Sequence, residues 1–174
     1  MPDPAVPPPL PELAQPGTLR LLFVCMGNIC RSPAAECMMR QLVAEAGLGG
    51  AIECDSAGTI GYHSGSAPDA RMRAAGRQRG LRIDGAARQI TRDDFERFDL
   101  ILVMDRENLR NVTRLAPGHP TPVRLLCDFA THHTDTEVPD PYYGGESGFH
   151  HVLDLVADAC HGLLDQLSPP SGQG

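Results

Sequence analysis

Four short runs of the chain are apolar without alternation: Leu19–Val24, Ile52–Ser56, Leu100–Met104 and Val123–Asp128. Strands covered on both faces read this way, because neither face has to meet water. Between them the apolar positions recur every three to four residues. Ala35, Met38, Met39, Leu42, Val43 and Ala46 make one helical stripe, and Gly47 stands where a helix end favours a left-handed residue. Pro68–Arg79 and Arg106–Leu115 carry weaker helical patterns. The longest stripe runs from Phe149 through Val152, Leu153, Val156, Cys160, Leu163 and Leu164 to Leu167, with Ser168, Pro169 and Pro170 as its stop. Strand and helix alternating over short links predict an α/β fold, a three-layer sandwich around a parallel sheet. In such folds ligands bind beyond the carboxyl ends of the strands, near the topological switch point. No internal repeat and no second domain are visible.

Composition adds boundaries. The chain has 174 residues, 41% hydrophobic and 21% charged, which suits one ordinary globular domain. A net charge of −7 argues against general nucleic-acid or acidic-membrane binding, while leaving room for a local basic pocket. No run reaches the roughly 18 apolar residues of a membrane span. The first 17 residues hold seven of the 16 prolines and no apolar signal core, so residues 1–18 read as an extended, disordered tail. The domain then covers 19–168, with 169–174 a disordered end. The six cysteines form no CxxC pair, so no zinc site is expected; they lie in predicted strands and helices or together in one loop, and without an export signal free thiols in the cytoplasm are expected. The adjacent pairs His132–His133 and His150–His151 have no completing ligand set and read as surface histidines, so no metal is expected.

The chemistry concentrates where the first strand ends. LRLLFV is followed by CMGNICR and then by SPAAE. Ser32 can cap the next helix and Pro33 suits its first position. Backbone N–H groups of the loop and of the helix start then converge on one point, which fits a tetrahedral dianion. Arg31 adds a planar fork for two phosphate oxygens, and Gly27 allows a tight backbone. Cys25 lies at the mouth of this cradle. The field that attracts phosphate also favours a thiolate, which can attack a bound phosphorus atom and form a phosphocysteine. Hydrolysis further needs a carboxyl group that is acid and then base. Asp140 between Pro139 and Pro141 is attractive, but a turn former reads the same way, and residues alone do not choose it.

VCMGNICRSP resembles the signature of low-molecular-weight protein tyrosine phosphatases. The similarity extends through DSAGT (55–59), APDAR (67–71), ARQI (87–90), FDLILVMDRENL (98–109) and DPYYG (140–144). It implies a flavodoxin-like, four-stranded parallel sheet with the phosphate loop after the first strand. It also implies Cys25 as nucleophile, Arg31 as phosphate binder and Asp140 as general acid and base. Met26, Gly27, Asn28, Ile29, Cys30 and Ser32 would bind phosphate or shape the loop, with Ser32 also assisting the thiolate. Tyr62, Tyr142 and Tyr143 would wall the cleft, while Ser56 and Asp105 support the loop and Arg31. Cys30 is the implied redox partner of Cys25 in a reversible disulfide. The implied substrates are phosphotyrosine-containing proteins, handled by a monomer or weak dimer without cofactor, nucleic acid or membrane.

One departure is Gly85, where the family commonly has a His bonded to the loop Asn. A looser loop is therefore expected, with the network around Asn28 completed otherwise, as by water. Other readings of the motif are a phosphoarginine phosphatase, which Ile29 disfavours because those relatives tend to carry Thr there, and an arsenate reductase, which needs extra cysteines absent near 82–89. A phosphotyrosine-binding or redox-sensing module without turnover is the non-enzymatic alternative.

Overall fold

The central strand β1 (Leu19–Cys25) pairs in parallel with β2 (Ile52–Gly58) on one side and with β3 (Leu100–Val103) on the other. Strand β4 (Val123–Leu125) closes the sheet beside β3, in the order β2–β1–β3–β4. The sheet order changes direction at β1, so the loop after Cys25 opens at the switch point. The protein is described by a computed structural model covering residues 10–11 and 17–167. The expected disordered ends, and the helix stop at Ser168–Pro170, lie mostly outside these residues. Within the Pro-rich segment, Leu10 packs against the core.

Alternation along β1 explains the three layers. Leu21 and Phe23 point to one face, where they meet Met39 and Val43 of helix α1 (Arg31–Glu45) and Val152 and Leu163 of the last helix, Glu146–Leu167. Leu22 and Val24 point to the other face, against Ile101 and Val103 and against Val112 of the helix Arg106–Leu115. These four β1 side chains are fully buried, each contributing on the order of 2 kcal/mol by removal from water.

α1 ends as its glycine suggests. Gly47 has φ +74°, its N–H donates to Ala44, and the next N–H, of Leu48, reaches back to Val43. Helix α2 (Ala70–Gln78) begins later than its apolar pattern and is capped by Asp69, whose side chain accepts from the Arg71 N–H. A one-turn helix α3 (Asp94–Arg97) has no counterpart in the sequence reading, being too short to show a period. Helix α4 spans Arg106–Leu115 and α5 spans Glu146–Leu167.

Three local expectations need correction. The fourth apolar run leaves the sheet after Leu125, and Leu126–Phe129 form a 3₁₀ turn. Leu126, Cys127 and Phe129 stay buried there, so the apolar run reflects core burial and not strand length. Ser32 does not cap α1. The helix starts at Arg31, two residues before the Pro33 start that a Ser32 cap implies, and the hydroxyl turns toward Cys25 instead. Gly27 is not the residue with unusual backbone: Asn28 is, at φ +58°, a region that Asn tolerates. Gly27 is small for another reason, since a Cβ there would stand 3.1 Å from the His63 ring.

Candidate active site

Cys25 ends β1 opposite Gly58 of β2. A Cβ on Gly58 would lie 2.7 Å from the Met26 carbonyl, so only glycine lets β2 approach the loop this closely. Beyond the strands, the N–H groups of Thr59 and Ile60 donate to the carbonyls of Cys25 and Met26, tying the next segment to the loop. The Cys25 Sγ receives the Asn28 backbone N–H at 3.3 Å and lies 3.1 Å from the Ser32 Oγ. These donors and the start of α1 surround the sulfur with positive dipoles.

Asn28 is the brace of the loop. Its Nδ2 donates to Ser32 Oγ and Ser56 Oγ, and its Oδ1 accepts the Arg88 backbone N–H at 3.0 Å. Ser56 in turn donates to Glu36 Oε1, and Arg40 pairs with the other oxygen of that carboxylate. Every polar position of the Asn28 side chain is thus used within the protein. The network around Asn28 is completed by a main-chain donor from Arg88 and not by a side chain at position 85. The space beside Gly85 remains as a cavity of about 200 Å³ bordered by Asn28, Glu36 and Gly85.

Arg31 is almost wholly buried. Its Nη1 donates to Asp105 Oδ2 at 2.7 Å and to the Val138 carbonyl at 3.1 Å. Asp105 also caps α4 by accepting the Asn108 N–H, so the helix holds the carboxylate that holds the arginine. Burial alone would lower the Arg31 pKa; the charges of Cys25, Asp105 and Asp140 outweigh it and keep the guanidinium charged. The second fork nitrogen, Nη2, lies 3.8 Å from Asp140 Oδ2. Cys25 and Asp140, far apart in sequence, therefore face each other across one arginine.

These groups open into a cavity of about 320 Å³. Its floor is Cys25, Met26, Gly27, Ile29, Cys30 and Arg31, and its walls are Tyr62, Asp140, Tyr142 and Tyr143. Tyr62 and Tyr143 stand 85% and 92% exposed, so they form the rim rather than core. Asn28, Ser32, Ser56 and Asp105 sit behind the floor and reach the cavity only through Cys25 and Arg31. Two lining residues escaped the sequence reading, Ile60 and His63. His63 stacks edge-on against Tyr62 and adjoins Tyr142, a proximity that no local spacing reveals. Among the described residues no group of three His, Cys, Asp or Glu side chains is arranged to hold a metal.

The sequence matches the family model of the low molecular weight phosphotyrosine protein phosphatases over residues 20–170. The chain belongs to this family. A Synechocystis relative bearing the family's name is 52% identical over 151 residues, covering 86% of this chain and 96% of its own. The crystal structure of a protein tyrosine phosphatase from Entamoeba histolytica superposes with TM-score 0.84 at 45% identity, covering 86% of this chain and 97% of that one. A Drosophila arginine phosphatase shares the fold at TM-score 0.81 and 31% identity, covering 88% and 100%. The flavodoxin-like sheet of this phosphatase family is the architecture described above. No described helix of this family member is long and apolar enough to cross a membrane.

Two other thiol and histidine features complete the picture. Burial, followed by the charges of Asp69, Cys25 and Asp140, pushes the Cys30 thiol well above its ordinary range, with Arg71 opposing. Burial thus favours the neutral thiol form of Cys30, which lines the cavity with Cys25. His133 is not a free surface group: its Nδ1 lies 2.9 Å from Asp158 Oδ2, and the same carboxylate accepts the N–H groups of Thr131, His132 and His133.

Proposed function

We propose that this chain hydrolyses phosphotyrosine in proteins through a phosphocysteine on Cys25. The observation that carries the reading is the meeting of Cys25, Arg31 and Asp140 at one cavity, with Arg31 Nη2 3.8 Å from the Asp140 carboxylate. The Arg31 fork and the loop N–H groups bind the phosphate dianion and stabilise charge as the phosphorus is attacked. The Cys25 thiolate forms an S–P bond while the P–O bond to the tyrosyl ring breaks. Asp140 gives its proton to the departing phenolate. The resulting carboxylate then takes a proton from water, whose oxygen attacks phosphorus; the S–P bond breaks, phosphate leaves and the thiolate returns.

Tyr62, Tyr142 and Tyr143 favour an aryl ring at the cavity mouth, and Ile29 in the floor supports phosphotyrosine over phosphoarginine. The proton relay and phosphate contacts assign every step to side chains and backbone of this chain. All six cysteines are free, which fits work in a reducing cytoplasm. The test is hydrolysis of 4-nitrophenyl phosphate, phosphotyrosine peptide and phosphoarginine by wild type and Cys25→Ser. Cys25-dependent turnover of the first two, well above the third, is expected. Turnover that survives in Cys25→Ser, or a preference for phosphoarginine, overturns the reading.

A further inference from the structure

Asp69 and Arg71 connect the phosphate loop to the segment that carries Asp140. The Asp69 backbone N–H donates to the Ile29 carbonyl at 2.8 Å, which fixes the start of α2 to the loop floor. The Asp69 carboxylate accepts Arg71 Nε at 3.1 Å and Nη2 at 2.9 Å, a fork-on-fork pair. The remaining arginine nitrogen, Nη1, donates to the Tyr142 carbonyl at 3.1 Å. At the same residue, the Tyr142 N–H donates to Asp140 Oδ1 at 3.0 Å. The guanidinium also lies 5.3 Å from the Tyr142 ring centroid and 4.8 Å from that of Phe149, within cation–π range of both. Phe149 is buried in α5, so Arg71 is held between a core ring and a rim ring.

We propose that Arg71 is a positioning residue that sets the Asp140 loop at its working distance from Cys25, through Asp69 on one side and Tyr142 on the other. This rests on the assignment of Asp140 as general acid. Arg71 itself does not line the cavity and touches no reacting atom. Ahead of Asp140 the segment is tied by Val138, whose N–H donates to Met104 and whose carbonyl accepts Arg31 Nη1. After Asp140 the backbone bond Gly144–Pro141 is local, and Arg71 supplies the long-range hydrogen bond, at Tyr142. Without Arg71 the carboxyl group keeps its local bond to Tyr142 and its contact with Arg31, but the Tyr142 side of its loop loses its tie to Asp69 and the loop floor. Phosphate binding by Arg31 and attack by Cys25 do not depend on that tie; proton delivery does.

The distinguishing readout is the leaving group. Phenolate leaves poorly and needs the proton, whereas 4-nitrophenolate leaves with little help. Values of kcat/KM report formation of the phosphocysteine and are compared for phenyl phosphate and 4-nitrophenyl phosphate. Arg71→Met is expected to lose roughly tenfold or more on phenyl phosphate and less than about twofold on 4-nitrophenyl phosphate. Arg71→Lys, which keeps the charge but not the fork, should fall between wild type and Arg71→Met on phenyl phosphate. In an Asp140→Ala background, Arg71→Met should add almost nothing. Equal losses on both substrates, or an undiminished loss in the Asp140→Ala background, overturn the role. If Asp140→Ala shows the leaving-group effect and Arg71→Met does not, only the Arg71 proposal fails. If Asp140→Ala shows no such effect, the acid assignment fails first.

Discussion

Arg31 Nη1 and Asp105 Oδ2 are 2.7 Å apart, in a pair whose arginine side chain is only 4% exposed. The carboxylate is itself fixed by capping α4, so the Arg31 fork is oriented by the start of the helix that follows the neighbouring strand β3. A buried arginine without this partner would keep its charge and lose its direction.

Asp105→Ala is therefore expected to destabilise the protein by about 3 kcal/mol, since one member of a buried pair is removed together with a cap. It should also weaken competitive inhibition by inorganic phosphate roughly tenfold. Chemical denaturation and phosphate inhibition of 4-nitrophenyl phosphate hydrolysis measure the two effects. A variant that loses stability but binds phosphate as before would separate Asp105 from the site.

Asp158 supplies a pH-dependent anchor. Burial alone would raise its pKa, but the N–H groups of Thr131, His132 and His133 and the His133 ring hold it well below the usual carboxylate range. The unfolded chain then binds more protons than the folded one below the ordinary value of about 4, so this stabilisation is present above that pH and is lost as pH falls. Glu36 has the opposite sign, because burial raises its carboxyl despite Ser56 and Arg40. Its effect falls in a separate window, above the ordinary value, where stability declines as pH rises. Asp158→Asn should cost about 2 kcal/mol at neutral pH and flatten the loss of stability between pH 4 and about 2. Urea midpoints at several pH values test this; an unchanged acid slope would contradict it.

Cys30 lies beside Cys25 as a thiol kept neutral by burial and by Asp69 and Asp140. Peroxide is expected to oxidise Cys25 to the sulfenic acid, after which the Cys30 sulfur attacks it, forms an S–S bond and releases water. Wild type treated with hydrogen peroxide should recover most of its activity on addition of dithiothreitol. Cys30→Ser should recover little, having passed to the sulfinic acid. Equal recovery by both proteins would exclude Cys30 as the partner.

Much of this was legible in the chain before any coordinates. Leu21–Val24 showed a strand buried on both faces because continuous apolar residues have no other use there, and Gly47 marked the end of α1 by its backbone. The loop between Cys25 and Arg31 showed its chemistry through residue type and position after a strand. What the pattern missed was long-range. Asp140 could be chosen only through the family resemblance, since nothing local distinguishes it from a turn residue. Ser32 looked like a cap because the competing attraction, the Cys25 sulfur, is invisible in spacing. Leu126 and Cys127 looked like strand because burial and strand share an apolar signature. His63 carried no motif signal, and Arg71 stood in the APDAR motif without a role, for their partners Tyr142 and Phe149 lie about 70 to 80 positions away in the sequence.

The central claim is a covalent phosphoryl group on Cys25. Asp140→Ala mixed with an aryl phosphate, quenched within the turnover time and mapped by mass spectrometry, tests it most directly. Removal of the acid and base should slow water attack and let the intermediate accumulate. The account predicts one phosphoryl group on the peptide carrying Cys25 and none in a Cys25→Ser protein treated alike. A phosphoryl group on any other residue, or turnover with no covalent intermediate at any quench time, would contradict it.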